Sequence, residues 1–268
     1  MAEAQATQPN QDEVLYEVAD HIATITINRE QQRNTISGPM LDAVTELMLK
    51  ADRDPEVRCI ILTGAGRFFC AGLDLSSGEI GGSSAGGFSN LDLRATPPTV
   101  MHHLDTPTIC ALNGSAAGYG MDMALGCDIR VMADNAKMAA AFTARGIVPE
   151  SGGTWILPRL LGWEKAAELI FTGRTLTAEA CREMGLVAHV VPHDEVAAKA
   201  RALAGDIAAN APLAVQASKR MMRMGMNETF NDHVHHVFLQ LLPLFRTEDF
   251  KEGMASFLEK RPANFKGK

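Results

Sequence analysis

Apolar and polar residues alternate along Ile22 to Ile27: Ala23, Ile25 and Ile27 lie on one face, Thr24 and Thr26 on the other. A period of two is the pattern of a half-buried strand. Val14 to Tyr16 forms a second strand just before it, with a turn near Asp20. After Ser37 the period changes. Met40, Val44, Leu47 and Ala51 recur at helical spacing, and Asp54-Pro55 closes the helix, because proline disfavours helical backbone in the residue before it. Val57 to Leu62 is then a short continuous apolar run ending at Gly64-Ala65-Gly66. Strand, helix, strand begins a βαβ unit.

The same rhythm returns with Thr108 to Leu112 as a buried strand, a Gly-rich turn, a helix from about Tyr119 and a strand from Ile129 to Met132. A second Gly-rich helix start follows at Pro149-Glu150-Ser151-Gly152-Gly153. Helical segments run from Thr154 to about Gly185, and Ala188 to Val191 is the last strand. Strands alternating with helices predict an α/β fold with a mostly parallel sheet covered on both faces. Beyond about residue 195 only helical patterns remain: Ala197 to Ile207, Val215 to Met222 and His233 to Leu242. The expected organisation is an N-terminal arm (1–13), an α/β core (14–199) and a helical C-terminal region (200–268), without an internal repeat.

Composition changes this picture at two segments. Residues 76–90, SSGEIGGSSAGGFSN, are too poor in apolar surface to pack and are expected to form a mobile lid beside the first candidate site. The opening residues, MAEAQATQPNQDE, have neither the apolar stretch of a secretion signal nor the arginines of a transit peptide, and are expected to be disordered. No run approaches the roughly 20 apolar residues of a membrane helix, so a cytoplasmic protein is expected. The net charge of −7 argues against a nucleic-acid platform, which needs a basic face. Cys59, Cys110 and Cys127 lie in apolar runs and read as buried hydrophobes; the five cysteines form no CxxC pair, so neither a disulfide framework nor a structural zinc is expected.

Three segments can carry chemistry. Gly64 to Leu75 begins as GxG after a strand, but the third glycine of a dinucleotide fingerprint would fall at Phe69. Asn113 to Asp122 is rich in small residues and opens a helix, where free N–H groups suit an anion or an oxygen becoming one. Asp122 has a plain alternative role, as an acid complementing the dipole of its own helix. Gly146 to Gly153 repeats the arrangement around Glu150. His233 and His236 share a helical face without a recognisable third ligand, so no metal is expected. His103 is a weak general-base candidate, and there is no G-x-S-x-G elbow.

Taken in order, these segments resemble the enoyl-CoA hydratase/isomerase (crotonase) superfamily. The motifs are Ile25 to Arg29 with Arg33-Asn34, Arg67 to Leu75, Asn113 to Asp122 with Gly126-Cys127-Asp128-Ile129, Gly146 to Thr154, Phe171 to Arg174 and Glu252 to Arg261. The resemblance covers nearly all of residues 14–268. It implies a crotonase-like spiral of ββα units with a helical C-terminal trimerisation region, assembled as a homotrimer or a hexamer. It implies an acyl-CoA substrate in fatty-acid or related acyl-CoA metabolism, with coenzyme A entering as part of the substrate and no permanently bound cofactor.

By position, the resemblance places two oxyanion N–H donors at Leu73 and Tyr119. It places a coenzyme A cradle at Gln32, Arg33, Ala71, Leu73 and Leu75, with Lys260 reaching in from the C-terminal end. The familiar hydratases use two glutamates. Asp122 stands where the first falls, one methylene shorter, and the second falls at Phe142, which cannot transfer a proton. Glu150 follows eight residues later, where several isomerase-like members carry their acid. The expected mechanism is proton abstraction beside a thioester by Glu150, with Asp122 orienting water or acting as the second acid/base. Hydration and double-bond migration both remain open at this point. So do C–C bond hydrolysis and a catalytically silent member that only binds coenzyme A esters.

Overall fold

A computed structural model describes residues 13–74 and 96–268. The arm expected at 1–13 lies outside the described residues except for its last position, as do Leu75 and the expected lid at 76–90.

The chain opens with β1 (Val14–Ala19) and β2 (Ile22–Ile27), an antiparallel hairpin. Its two-residue turn holds both Asp20 and His21 at positive φ (53° and 63°), the twist that matches paired strands. Ala23, Ile25 and Ile27 are fully buried, as their alternation requires. Helix α1 (Gly38–Arg53) turns Met40, Val44, Met48 and Ala51 inward. It leads to β3 (Cys59–Gly64), parallel to β2.

From β3 onward each turn of the chain repeats one plan. β3 is followed by the short β4 (Phe68–Cys70) and α2 (Pro97–His103). β5 (Thr108–Leu112) is followed by β6 (Ser115–Ala117) and α3 (Tyr119–Gly126). β7 (Ile129–Ala133) is followed by β8 (Lys137–Ala139) and then α4 (Gly153–Leu161) and α5 (Trp163–Thr172). After these come β9 (Thr175–Thr177), α6 (Ala178–Met184) and β10 (His189–Val191). The long strands form a six-stranded sheet in the order β1-β2-β3-β5-β7-β10, and the short ones a second sheet in the order β4-β6-β8-β9. Successive turns therefore stack as ββα units, the spiral that the resemblance implies.

The second sheet was not expected from sequence. Its strands are three residues long and composed partly of Ala and Ser, so they carry no periodic signal. Helix α2, which ends in His102 and His103 ahead of β5, was likewise not expected, and β9 interrupts the helical run expected from Thr154 to Gly185. The remaining helices are α7 (Val196–Ala208), α8 (Pro212–Gly225), α9 (Phe230–Leu244) and α10 (Glu248–Glu259). The expected division at 199/200 falls inside α7, whose Ala200 and Ala204 are buried in the core. In contrast, α9 buries none of its residues within the chain, although it carries Phe238, Leu239, Leu241 and Leu242. All five cysteines are free and buried, and no described helix is long and apolar enough to cross a membrane.

Two asparagines hold the loop between β3 and β4. Asn34, wholly buried at φ 54°, accepts the Arg29 N–H at 2.8 Å and donates to the carbonyls of Ala65 (2.9 Å) and Phe68 (2.6 Å). Asn113, after β5, donates to Gly66 O at 2.8 Å and accepts the Gly64 N–H at 3.1 Å. Replacing Asn34 by alanine strands these groups and puts a Cβ-only residue in left-handed backbone. Asn34→Ala is expected to lose about 1–3 kcal/mol, read from the midpoint of denaturant unfolding. An unchanged midpoint would show that the loop is held elsewhere.

Candidate active site

Three segments meet at one pocket. Ala71, Gly72 and Leu73 come from the end of β4, Ala117, Gly118 and Tyr119 from the β6–α3 junction, and Ala141, Phe142, Arg145, Ile147 and Glu150 from the segment before α4. The first two approach closely. A Cβ on Gly72 would stand 3.0 Å from Ala117 O and 3.9 Å from Tyr119 N, and Gly72 adopts φ +109°. Only glycine meets both demands.

Leu73 is fixed by a single parallel bridge to Ile36. Ile36 N–H donates to Gly72 O at 3.0 Å, and Asp74 N–H donates to Ile36 O at 2.9 Å. In that pattern the neighbours of Leu73 take both bonds, so its own N–H points away from Ile36. Asp74 is anchored in turn by Arg29, which also bonds Thr35 O. On the other side, Gly118 at φ 53° starts α3, so Tyr119 is the first helical residue and its N–H has no partner within the helix. Leu73 and Tyr119, held by different turns of the spiral, thus both line the pocket, with N–H groups outside the pairings just described.

The carboxyls divide into one in front and one behind. Glu150 lines the pocket, and its Oε2 is buried without a hydrogen-bond partner. Asp122 is only 1% exposed and does not line the pocket. Its Oδ2 accepts the Ser151 N–H at 3.3 Å, and its Oδ1 has no partner. A Cβ on Gly153 would come within 2.5 Å of that Oδ1, so the carboxyl sits hard against the start of α4. Burial, then the charge of Glu150, push Asp122 up to about 7, partly offset by the Ser151 N–H. Burial also raises Glu150 above the usual carboxylate range, against its own backbone N–H. The Tyr119 phenol is raised by burial, and the Thr96 and Ser151 hydroxyls beside it counter this.

The residues expected to matter are therefore brought together unevenly. Leu73, Tyr119, Glu150 and Ala71 share the pocket, and Phe142 stands on its wall. Asp122, expected beside the reacting atoms, is buried and does not line the pocket. Arg33 lies in a neighbouring depression with Glu30, Gln31, Arg67 and Phe68, and its carbonyl accepts the Ala71 N–H at 3.1 Å. Gln32 is exposed on the same turn. Lys260 caps α10 at φ 55° and lines neither cavity. His103 lines neither as well, and His233 and His236 each bond one oxygen of Glu228. Sequence reasoning missed Arg29, Asp74 and Gly153. Their roles depend on contacts between turns of the spiral, which no local pattern records.

A family model described as enoyl-CoA hydratase/isomerase matches residues 17–268. Bacillus subtilis YngF, a putative enoyl-CoA hydratase/isomerase, is 37% identical over 96% of this chain and 99% of its own length. The 1,2-epoxyphenylacetyl-CoA isomerase of Escherichia coli is 34% identical over 95% of this chain and 98% of its own. The crystal structure of an enoyl-CoA hydratase from Mycobacterium tuberculosis superposes with a TM-score of 0.88 at 32% identity, covering 96% of this chain and all of that one.

The position of Asp122 has a cost in stability. Its folded value of about 7 exceeds its ordinary value of 3.8, so the folded state holds the proton more tightly than the unfolded state. Stability is then highest below about pH 4 as far as this group is concerned, falls as pH rises through 7, and stays reduced above. Asp122→Asn keeps the acceptor for Ser151 and cannot ionise. It is expected to be more stable than the parent protein at pH 8, by an amount on the order of a few kcal/mol, with the difference vanishing near pH 4. Thermal unfolding at the two pH values checks this, and an Asn variant less stable at pH 8 would contradict it.

Proposed function

The chain belongs to the enoyl-CoA hydratase/isomerase family, and we propose that its reaction is migration of a double bond in an enoyl-CoA thioester, with Glu150 as the proton carrier. The observation that carries this proposal is the pocket wall itself. Glu150 is the one carboxylate lining it among the described residues, and the position where the resemblance expects a second glutamate is occupied by the buried ring of Phe142.

Glu150 takes a proton from C2 of a 3-enoyl thioester. The C2–H bond breaks, its electron pair enters the conjugated system, and charge develops on the thioester oxygen. The N–H groups of Leu73 and Tyr119 receive that oxygen. Fixed donors aimed at a developing oxyanion lower such barriers by about 3–4 kcal/mol each. Glu150 then delivers the same proton to C4, leaving the 2-enoyl thioester. Half-buried and raised, Glu150 is a better base than an exposed glutamate.

Hydration would need an acid and a base on either side of one water. Asp122 lies behind the wall and Phe142 presents carbon, which weighs toward isomerisation. The resemblance assigns Gln32, Arg33 and Ala71 to the rim on which coenzyme A would rest, and Arg67 adds a second cation beside Arg33. Leu75 completes that rim in the resemblance. The apolar face of α9, continued by the exposed Phe257 and Leu258 of α10, supports burial against further copies of the chain as a homotrimer or a hexamer, which could also bring Lys260 to a neighbouring rim.

Glu150→Gln is expected to slow conversion of a short-chain 3-enoyl-CoA to the 2-enoyl-CoA by roughly 10²–10⁴-fold while leaving coenzyme A ester binding intact. Full activity in that variant would remove Glu150 as the base. Phe238→Asp, on the exposed strip of α9, is expected to shift the sedimenting species toward single chains; an unchanged mass would place the interface elsewhere.

A further inference from the structure

Asp122 does not reach the pocket, yet it is placed where it must interact with Glu150. Glu150 and Ser151 are consecutive, and Ser151 N–H holds Asp122 Oδ2 at 3.3 Å. The remaining oxygen of each carboxyl that could take a partner, Asp122 Oδ1 and Glu150 Oε2, is buried and has none. Gly153 leaves room for Asp122 Oδ1 and nothing more: a Cβ there would stand 2.5 Å away. Two carboxyls in one desolvated site repel when both are ionised, and one of them keeps a proton.

The groups facing Asp122 come from three elements. They are the Tyr119 phenol on its own helix α3, the Glu150 carboxylate and Ser151 from the turn before α4, and, beyond the phenol, the Thr96 hydroxyl ahead of α2. Among the described residues no cation acts on Asp122, and Arg145, the cation lining the pocket, acts on neither carboxyl. Glu150 is the more exposed of the two, and in the proposed reaction it is the member that carries the charge. Burial raises it, against its own backbone N–H, whereas the charge of Glu150 is felt by Asp122.

Resting on Glu150 as the base, we infer that Asp122 is a positioning residue that works through Glu150: the neutral, proton-holding half of a carboxyl pair that keeps a single negative charge at the site. That charge begins on Glu150 and moves to the thioester oxygen as Glu150 takes the substrate proton. Both carboxyls are then neutral, and the charge returns to Glu150 when the proton is delivered to C4. Asp122 gives up no proton to substrate. Its ionisation would add a second negative charge beside the enolate and oppose its formation, so turnover is expected to fall once the pair is doubly ionised. This differs from the two-carboxylate arrangement around a water, in which both acids touch the reacting atoms.

Two readouts on the full-length protein test the inference. The first is independent of turnover: infrared difference spectra of the parent protein against Asp122→Asn at pH 6. A carbonyl band of a protonated carboxyl, present only in the parent protein and fading as pH passes through 7, is expected. Its absence would overturn the neutral Asp122. The second is the pH dependence of kcat with a 3-enoyl-CoA. The parent protein is expected to lose activity above about pH 7 and Asp122→Asn to stay level there, while both share the acid limb set by Glu150. A falling limb retained in Asp122→Asn, or none in the parent protein, would overturn the coupling. Activity surviving in Glu150→Gln would instead sink the assignment of the base, and the infrared band would still decide the state of Asp122.

Discussion

The site depends on how closely one turn of the spiral can approach the next. The segment ending β4 and the segment opening α3 come from different ββα units, and they touch at Gly72, where Ala117 O lies at the limit of contact for any added carbon. The proposed reaction needs this approach, because it asks the Leu73 and Tyr119 N–H groups to serve one oxygen. Much of the surrounding structure maintains that approach. Ile36 grips both neighbours of Leu73, Arg29 grips Asp74, and Asn34 and Asn113 hold the preceding loop from opposite sides. Donors fixed this way need little reorganisation when charge appears, which is why backbone groups in a rigid setting stabilise an oxyanion better than water does.

This explains why the fold and the site differed in how readable they were. β2 and α1 repeat an apolar period and β3 and β5 are continuous apolar runs, and these elements stand close to where those patterns put them. The strands of the small sheet are too short to show any period. They exist because the chain must step from one turn of the spiral to the next. The three candidate segments were recognisable from local composition, and the assignment of donors to Leu73 and Tyr119 came through resemblance. That Asp122 lies behind Glu150 could not be read at all. Both acids follow glycines at helix starts, and only the packing of α4 against α3 decides which one meets the pocket.

Phe142 and Asp122 together change the chemistry open to this pocket. Replacing a carboxylate by an aromatic ring removes both a proton carrier and a reason for water to be held there. A hydratase must order a water between two charged groups, whereas an isomerase benefits from its exclusion, because water competes for the enolate proton sites. The apolar wall formed by Ala141, Phe142 and Ile147 suits the second task.

A buried acid that lowers stability at neutral pH has no structural justification in the contacts it makes. Its one hydrogen bond, to Ser151 N–H, could be accepted by an uncharged amide at no electrostatic cost. What an amide could not do is titrate. With an aspartate there, the charge of the site depends on the state of its neighbour, and the burial that raises Glu150 also raises Asp122. Moving a charge costs least when nothing else in the site must change ionisation as it moves. A neutral partner behind the base satisfies that condition over the pH range in which Glu150 is ionised and Asp122 is not, and the pocket loses the benefit once both have given up their protons.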